Sequence, residues 1–393
     1  APYLREKIRR DASEIIAAYN TTHGTAYNLY KDRLILTTTL NADMQRYAEA
    51  AVKEHMKKLQ HEFYSHWENR EPWYNKPQVL EQAIQNSPVY LSLKGQGYNE
   101  KQIAEIMNRK KAMMVYSAYQ GEASAEMSSI DSIKHYLKIL HPGMIAVEPN
   151  SGKIRVWIGD LDYKYFQYDQ VGAPRQVGSV FKPVVYSAAI HNGAQLDAYY
   201  KNEQKTYKEY EDWTPRNSDN DYTGYYTLKG ALSKSINTIA VEVLLQTGIE
   251  KTIVHARNLG IKSELPQYPS LALGSADIPL SEMILPYMCF ANAGKLMTPY
   301  YLLEIRDQSG TVLYQAPVPE SKEVLPSQEA YVMSNILSAV INEGTGRRLR
   351  TTYGLKNELA GKTGTTQNQA DGWFIGYNSR IVVGIRVGAN DRN

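Results

Sequence analysis

A serine and a lysine three residues apart could form a nucleophile with its own base. Ser179 and Lys182 stand where Gly178 ends a loop and an apolar stretch predicts the start of a helix. Side chains at positions i and i+3 of a helix share one face, so the hydroxyl and the amine point the same way. This arrangement suits attack by a serine hydroxyl whose proton passes to the neighbouring amine.

Two more short motifs follow along the chain. Ser235-Ile236-Asn237 lies between two helical patterns, and taken alone it is better explained as a helix cap. Lys362-Thr363-Gly364-Thr365-Thr366 lies on a predicted strand and follows Gly361. Glycine weakens a strand, and one of its uses there is to let another backbone approach closely. An edge strand of this kind can also pair with an extended peptide.

The elements around these motifs predict an α+β domain. A β-hairpin is expected at 144–158, helical patterns fill about the next 150 residues, and strands return at 362–366, 372–377 and 380–387. A sheet formed from both ends of one segment, with helices between them, is an α+β layered fold. Further upstream, 34–40 is predicted as a strand and 43–59 as an amphipathic helix.

The stretch between about 62 and 142 has a different character. It is rich in Tyr, Lys, Gln, Ser and Asn, and helical patches alternate with turn signals. We interpret it as an added subdomain without assigned chemistry. Its aromatic residues favour core or partner packing over glycan binding; they are Phe63, Tyr64, Trp67, Trp73 and Tyr74.

Composition argues against several other functions. The chain has 393 residues and a formal net charge of +3, so no large basic field indicates nucleic acid. Cys289 is the only cysteine, and its apolar neighbours predict a buried, inert thiol. No apolar run approaches 18 residues, so we expect no membrane-spanning segment within this sequence. His61 and His66 lack partners for a metal site, and we expect no metal and no cofactor. Gly344-Thr345-Gly346 is interpreted as a turn in preference to an anion site.

The three motifs together resemble a known set. S-x-x-K, S-x-N and K-T-G in this order are typical of serine β-lactamases and penicillin-binding proteins, and Ile236 in place of the β-lactamase aspartate favours the latter. The chain resembles the transpeptidase portion of class A (bifunctional) penicillin-binding proteins over roughly 25–60 and 143–393. The segments that carry the likeness are Leu36–Leu40, Asp43–Gln45, Arg175–Pro183, Trp213–Asn217, Ala231–Leu232, Ser235–Asn237, Leu271–Ser275, Phe290–Gly294, Gly361–Thr366 and Asp371–Phe374.

The resemblance implies a fold and a domain order. We expect a β-lactamase/transpeptidase-like antiparallel sheet covered by helices, with an N-terminal linker and accessory subdomain. Residues 1–61 would be a linker after a missing glycosyltransferase domain, 62–142 an accessory subdomain, and 143–393 a transpeptidase domain truncated at its C-terminus. The membrane would be reached only through a missing N-terminal anchor, with the domain on the extracytoplasmic (periplasmic) face of the bacterial inner membrane.

The resemblance also implies roles for the motif residues in a D,D-transpeptidase. Ser179 would attack a D-Ala-D-Ala stem peptide, with Lys182 as base, Ser235 as proton relay and Asn237 on the substrate amide. Burial and the charge of Lys362 would lower the pKa of Lys182 so that its amine can act as a base. The backbone N–H groups of Ser179 and Thr365 would form the oxyanion hole. The residues expected to bind the substrate carboxylate and backbone are Lys362, Thr363, Gly364, Thr365 and Thr366.

Partners and alternatives follow from the same resemblance. The expected partners are stem peptides ending in D-Ala-D-Ala, β-lactam antibiotics and other cell-wall synthesis proteins. One alternative is a DD-carboxypeptidase or β-lactamase, but Glu242, Glu250 and Glu264 stand in no convincing loop for a deacylating base. The other is a non-catalytic β-lactam sensor or scaffold, a type that lacks the Thr37-Thr38-Thr39 linker pattern.

Overall fold

The computed structural model describes residues 1–390. The helices are α1 (Pro2–His23), α2 (Ala42–His66), α3 (Gln78–Gln85), α4 (Pro88–Gly95), α5 (Glu100–Asn108), α6 (Ser129–Leu137), α7 (Lys182–His191), α8 (Leu228–Lys234), α9 (Asn237–Thr247), α10 (Ile249–Asn258), α11 (Leu280–Ala291), α12 (Ser327–Asn342) and α13 (Arg348–Thr351). The strands are β1 (Ile35–Thr38), β2 (Lys111–Ser117), β3 (Gly121–Met127), β4 (Leu140–Val147), β5 (Ile154–Ile158), β6 (Pro174–Gln176), β7 (Tyr200–Lys201), β8 (Tyr225–Tyr226), β9 (Asp277–Pro279), β10 (Lys295–Met297), β11 (Leu302–Arg306), β12 (Val312–Gln315), β13 (Ser321–Glu323), β14 (Ala360–Thr365), β15 (Asp371–Tyr377) and β16 (Val382–Ala389).

The chain forms two compact units. Unit 1 contains Ala1–Arg46, Gly143–Gly159 and Tyr168–Arg386, and unit 2 consists mainly of Tyr47–Pro142 and Asp160–Gln167. The sequence boundary expected between 61 and 62 lies inside α2, which continues to His66. The assignment of 1–61, 62–142 and 143–393 to separate domains therefore stays a prediction.

Unit 1 is organised around a five-stranded sheet with the order β14-β15-β16-β4-β5. β14 pairs antiparallel with β15, and β4 with β5, while β14 occupies one edge of the sheet. Side chains of β15 and β16 alternate between buried and more exposed positions, which is the pattern of strands with one face on a core. The predicted α+β fold is confirmed, with β14 contacting α12 and β15 contacting α11.

Helix α7, which contacts α8, α9, α10 and α12, is buried on every side over most of its length. All residues of α7 from Lys182 to Ala189 are buried, and five of them are fully shielded from solvent. A helix that is apolar all round belongs in a protein interior, so α7 is an internal element. A lysine at its first position is consequently held without access to water.

The N-terminal part of unit 1 contains one predicted strand and one helix that the sequence analysis did not identify. β1 pairs antiparallel with β11, as a predicted strand should. α1 buries an apolar stripe at three- and four-residue spacing: Tyr3, Leu4, Ile8, Ala12 and Ile16. The spacing of these apolar residues can be recognised in the sequence, but the charged residues that stand between them obscure the helical periodicity.

Unit 2 combines four short helices with the hairpin of β2 and β3. Tyr116, Ile139 and Phe166 form a small core cluster within it. Trp73 is buried, as expected for an aromatic residue used in packing. Trp67, in contrast, is only half-buried and lines a pocket.

Three features outside the motifs concern helix hydrophobicity, metal ligands and the single cysteine. Among residues 1–390, none of the helices is sufficiently long and apolar to cross a membrane. The same part of the chain has no cluster of three His, Cys, Asp or Glu residues arranged to hold a metal ion. Cys289 is a buried free thiol, as predicted, and burial raises its pKa well above the ordinary range.

Candidate active site

Ser179 sits on a tight turn that two other segments of the chain contact. It lies in a 3₁₀ segment, Gly178–Phe181, which runs directly into α7. Gly178 has φ +56°, and a Cβ built on it would come within 2.7 Å of the Thr365 carbonyl oxygen. The Gly178 N–H donates to the Gly274 carbonyl at 3.0 Å. The backbone of the turn is thus pressed against the end of β14, which requires glycine at 178.

Ser235 and Asn237 occupy the junction of two helices, as the sequence pattern indicated. Ser235 ends α8 in the left-handed conformation (φ +60°), and Asn237 is the first residue of α9. The side chains of these two residues do not cap the helices. The cap of α9 comes from Asn217, whose Oδ1 accepts from the N–H groups of Asn237 (2.9 Å) and Thr238 (3.2 Å). The side chains of Ser235 and Asn237 are therefore free to meet the lysines.

The amine of Lys182 makes two short hydrogen bonds. It donates to the Ser235 carbonyl oxygen at 2.5 Å and to Asn237 Oδ1 at 2.6 Å, and it lies 3.2 Å from the Ser235 hydroxyl. Asn237 Nδ2 donates to the Arg216 carbonyl at 2.7 Å, so its amide oxygen is the atom that faces Lys182. A neutral amine has two N–H groups and one lone pair, so two donated bonds leave the lone pair for the third contact, at the Ser235 hydroxyl. Within residues 1–390, no hydrogen bond joins this amine to the Ser179 hydroxyl.

The second lysine approaches the same serine from the sheet. Lys362 Nζ donates to the Ser235 hydroxyl at 2.9 Å and to the Thr363 carbonyl at 2.9 Å. Its side chain is fully buried, like that of Lys182. The Ser235 hydroxyl consequently lies between two amines that are 53 and 127 residues away in the sequence.

Burial and mutual repulsion determine the protonation of the pair. Burial, and secondarily the charge of Lys362, hold the pKa of Lys182 well below its ordinary value. Burial lowers the pKa of Lys362 to about 7. Two buried amines that share one hydroxyl cannot both carry a full charge at low cost. The lowered pKa of Lys182 favours its uncharged amine, which is the state a general base needs.

The remaining residues of the K-T-G strand have distinct surroundings. Thr363 Oγ1 lies 2.6 Å from the hydroxyl of Thr345, and Thr365 is exposed at the end of β14. A Cβ on Gly364 would come within 2.9 Å of Val180, so this glycine allows β14 to pack on the turn that carries Ser179. Thr366 is buried, and its hydroxyl accepts from the Asp371 N–H at 2.8 Å. The Thr366 hydroxyl is thus engaged by Asp371, and its methyl carbon would lie 3.4 Å from a Cβ built on Gly178.

Two residues at this site were absent from the predicted set. Asn217 fixes the start of α9, and its Nδ2 donates to Asn202 Oδ1 at 2.9 Å inside a buried network with Thr238. Thr345 reaches Thr363 because its N–H donates to the Ser233 carbonyl at 3.1 Å, which ties the 344–346 turn to α8. Trp213–Asn217 belongs to the segments that carry the family resemblance, and in that family the loop that corresponds to Gly344–Gly346 lies near the active-site cleft. The sequence does not indicate which atoms of either segment contact the site.

Family comparison assigns most of the chain. Residues 143–387 match the family described as penicillin binding protein transpeptidase domain. Residues 67–140 match a second family, described as penicillin-binding protein middle domain. The first match contains Ser179, the Ser235–Asn237 junction and the strand of Lys362.

Individual relatives agree with this assignment. The chain is 32% identical to penicillin-binding protein 1A of Aquifex aeolicus (strain VF5) over 379 residues, which cover 91% of this chain and 50% of that protein. It is 34% identical to penicillin-binding protein 1A of Pseudomonas aeruginosa over 299 residues, covering 62% of this chain and 36% of the relative. The chain therefore spans half or less of the length of these relatives.

Solved structures share the fold. The crystal structure of penicillin-binding protein 1A from Haemophilus influenzae superposes with a TM-score of 0.72 at 19% identity, covering 100% of this chain and 66% of that one. The PonA1 protein of Mycobacterium tuberculosis in complex with penicillin V superposes with a TM-score of 0.57 at 19% identity, covering 80% of this chain and 85% of that one. Both likenesses support the transpeptidase-like fold expected from the motifs.

Proposed function

This chain belongs to the penicillin-binding proteins, of which it carries a transpeptidase domain, and on that basis we propose that it cross-links peptidoglycan stem peptides through an acyl-enzyme on Ser179. The substrate is a stem peptide ending in D-Ala-D-Ala, and β-lactams acylate the same serine. The observation that carries the proposal is the meeting of two buried amines, Lys182 and Lys362, at the Ser235 hydroxyl. An uncharged amine beside a serine turn is what a hydroxyl nucleophile requires.

In the proposed acylation, Ser179 Oγ attacks the carbonyl carbon of the penultimate D-Ala. The lone pair of Lys182 takes the hydroxyl proton. As the C–N bond breaks, Ser235 gives its own proton to the nitrogen of the departing D-Ala and receives the proton held by Lys182, 3.2 Å away, so that both side chains return to their starting state. The amine of a second stem peptide then attacks the ester, and Ser179 Oγ regains its proton. The contact of Lys362 with the Ser235 hydroxyl supports this relay, because it orients that oxygen toward the proton path.

The oxyanion is held by the backbone N–H groups of Ser179 and Thr365. In a strand, the N–H and C=O of one residue point to the same side. Because the Thr365 carbonyl faces the Gly178 turn, its N–H faces that turn as well. Losing one such donor typically costs about 10²–10³ in rate.

The substrate carboxylate meets hydroxyls backed by a buried cation. Thr363, Thr365 and Thr345 supply the hydroxyl donors, and Lys362 acts through its charge from beneath the strand. Gly364 contributes by close packing. Thr366 positions the end of β14 through Asp371 and takes no direct part in binding.

Transfer to a second peptide is favoured over hydrolysis by the groups around the serine. Within residues 1–390, no carboxylate is hydrogen-bonded to Ser179, Lys182, Ser235 or Asn237. Class A β-lactamases use a glutamate to activate the water that hydrolyses the acyl-enzyme. We therefore expect a stable penicilloyl adduct; rapid release of penicilloate would instead identify a β-lactamase or carboxypeptidase.

The test of the nucleophile is covalent labelling with a fluorescent penicillin, followed by intact mass and identification of the modified peptide. Ser179→Ala should abolish labelling. Ser151→Ala, which changes a serine in the turn between β4 and β5, is the matched control and should label like the wild type. Labelling that survives in Ser179→Ala would show that the nucleophile is another residue.

The wider setting is part of the proposal. We place the chain in a longer, bifunctional cell-wall synthase with a glycosyltransferase domain and a membrane anchor, working on the extracytoplasmic face of the bacterial inner membrane. The match to half of the Aquifex aeolicus relative supports this placement.

A further inference from the structure

Unit 2 contains a pocket that the chemistry at Ser179 does not use. It has a volume of about 550 Å³ and lies between the residues that follow α2, the turn joining β2 to β3, and α6. Sites for small ligands usually measure about 300–1,000 Å³. The pocket is therefore large enough for a ligand of two sugar rings.

Aromatic rings form much of its wall. The rings of Tyr64 and Tyr119 are tilted by 57° with their centroids 6.4 Å apart, and Trp67 also lines the pocket. The Arg70 guanidinium sits 5.1 Å from the Trp67 ring, and Phe63 packs 6.4 Å away, so the indole is held in place. Rigid aromatic faces bind apolar ring surfaces with little loss of conformational freedom.

The polar groups of the pocket favour an uncharged ligand. Lys138 and Glu71 pair with each other at 3.3 Å, and the two cations and two carboxylates of the lining cancel in charge. The side chains of Asn69, Tyr64 and Tyr119, in contrast, make no hydrogen bond within residues 1–390. Burial raises the pKa of Tyr64 to about 12, so its phenol stays a neutral donor near pH 7. Ring faces together with unused neutral donors and acceptors suit a polyhydroxylated ligand.

We propose that this pocket is a saccharide subsite that binds the N-acetylated sugar units of a glycan strand. One face of a sugar ring is apolar and stacks on an aromatic side chain, while its hydroxyl and acetamido groups meet Asn69 and the two phenols. The identity of the sugar rests on the proposed function, since stem peptides are carried on such a strand. Binding the strand to the same chain would raise the effective concentration of its stem peptides.

The test is isothermal titration calorimetry of the whole chain with tetra-N-acetylchitotetraose, before and after the chain is acylated by penicillin. We expect binding in both states, because the pocket and Ser179 are separate sites. Trp67→Ala should weaken binding about tenfold, and Trp67→Phe should restore most of it. Tyr119→Ala should also weaken binding several-fold. Tyr98→Ala, an exposed aromatic of unit 2 outside the pocket, is the control and should bind within twofold of wild type.

Several results would overturn the proposal. These are an absence of binding to the sugar, equal binding by Trp67→Ala and wild type, or binding of a free D-Ala-D-Ala pentapeptide that Trp67→Ala weakens. Penicillin labelling of each variant verifies that its transpeptidase unit is folded. It also keeps the two hypotheses apart, because a failed sugar titration with normal labelling refutes the subsite and leaves the Ser179 assignment intact.

Discussion

Replacing Lys362 by methionine tests the electrostatic account of the base directly. Methionine fills a buried site of similar length without a charge. Lys182 and Lys362 lie 3.2 and 2.9 Å from one hydroxyl oxygen, so their nitrogens are at most about 6 Å apart. At an effective dielectric constant of about 20, two unit charges at that distance repel by about 3 kcal/mol, which is about two pKa units.

The direction in which the pKa of Lys182 changes in Lys362→Met follows from the repulsion between the two charged amines. A charged Lys362 disfavours protonated Lys182, so its removal raises the pKa of Lys182. Burial, the larger cause, remains in the variant, and the pKa stays below its ordinary range. In the wild type, acylation should rise with pH as Lys182 loses its proton. It should fall again near pH 7 as Lys362, with a pKa of about 7, loses its charge.

The assay is the second-order rate constant for acylation by a fluorescent penicillin, measured from about pH 5 to about pH 10, because this constant reports the groups of the free enzyme. In Lys362→Met the rising limb should move to higher pH by about two units, and the falling limb near pH 7 should disappear. Lys229→Met removes an exposed lysine of α8 and should leave both limbs in place. A rising limb that stays fixed or moves to lower pH would refute the reasoning.

Two other predictions concern the groups that hold the site. Asn217→Ala removes the cap of α9 and leaves buried polar partners unsatisfied, so denaturant unfolding should show a loss of about 2–3 kcal/mol together with slower acylation; stability within about 0.5 kcal/mol of wild type would contradict this role. Gly178→Ala should slow acylation at least about 10²-fold, because its Cβ would meet the Thr365 carbonyl at 2.7 Å and disturb the oxyanion hole. Gly310→Ala has the same kind of left-handed backbone (φ +94°) with no atom within 4 Å of its Cβ, and equal acylation rates for the two variants would exclude the clash as the cause.

The local parts of the site could be predicted from the sequence. The helix after Ser179, the helix–helix junction at Ser235–Asn237 and the strand of Lys362 all depend on neighbouring residues, so periodicity and turn residues reveal them. The helix expected to begin at Ser179 is preceded by a 3₁₀ turn, Gly178–Phe181. Hydrophobic periodicity does not locate the end of a helix to within one or two residues. The family resemblance, carried by the order of the three motifs, was confirmed by the match over 143–387.

The long-range contacts could not be predicted in this way. Whether Thr366 faces a substrate or Asp371 depends on the turn that ends β14. The cap of α9 belongs to Asn217, a residue 20 positions upstream, and no local pattern distinguishes it from any other loop asparagine.

By itself, the sequence determined which residue types could do chemistry, which elements carry them and to which family the chain belongs. Only the tertiary structure decided that two lysines meet at one serine hydroxyl, and that burial strips them of water and lowers both pKa values. The physical reason is that periodicity records which face of an element is apolar. Protonation, by contrast, depends on distances between groups 53 and 127 residues apart, which exist only once the helices and the sheet have packed.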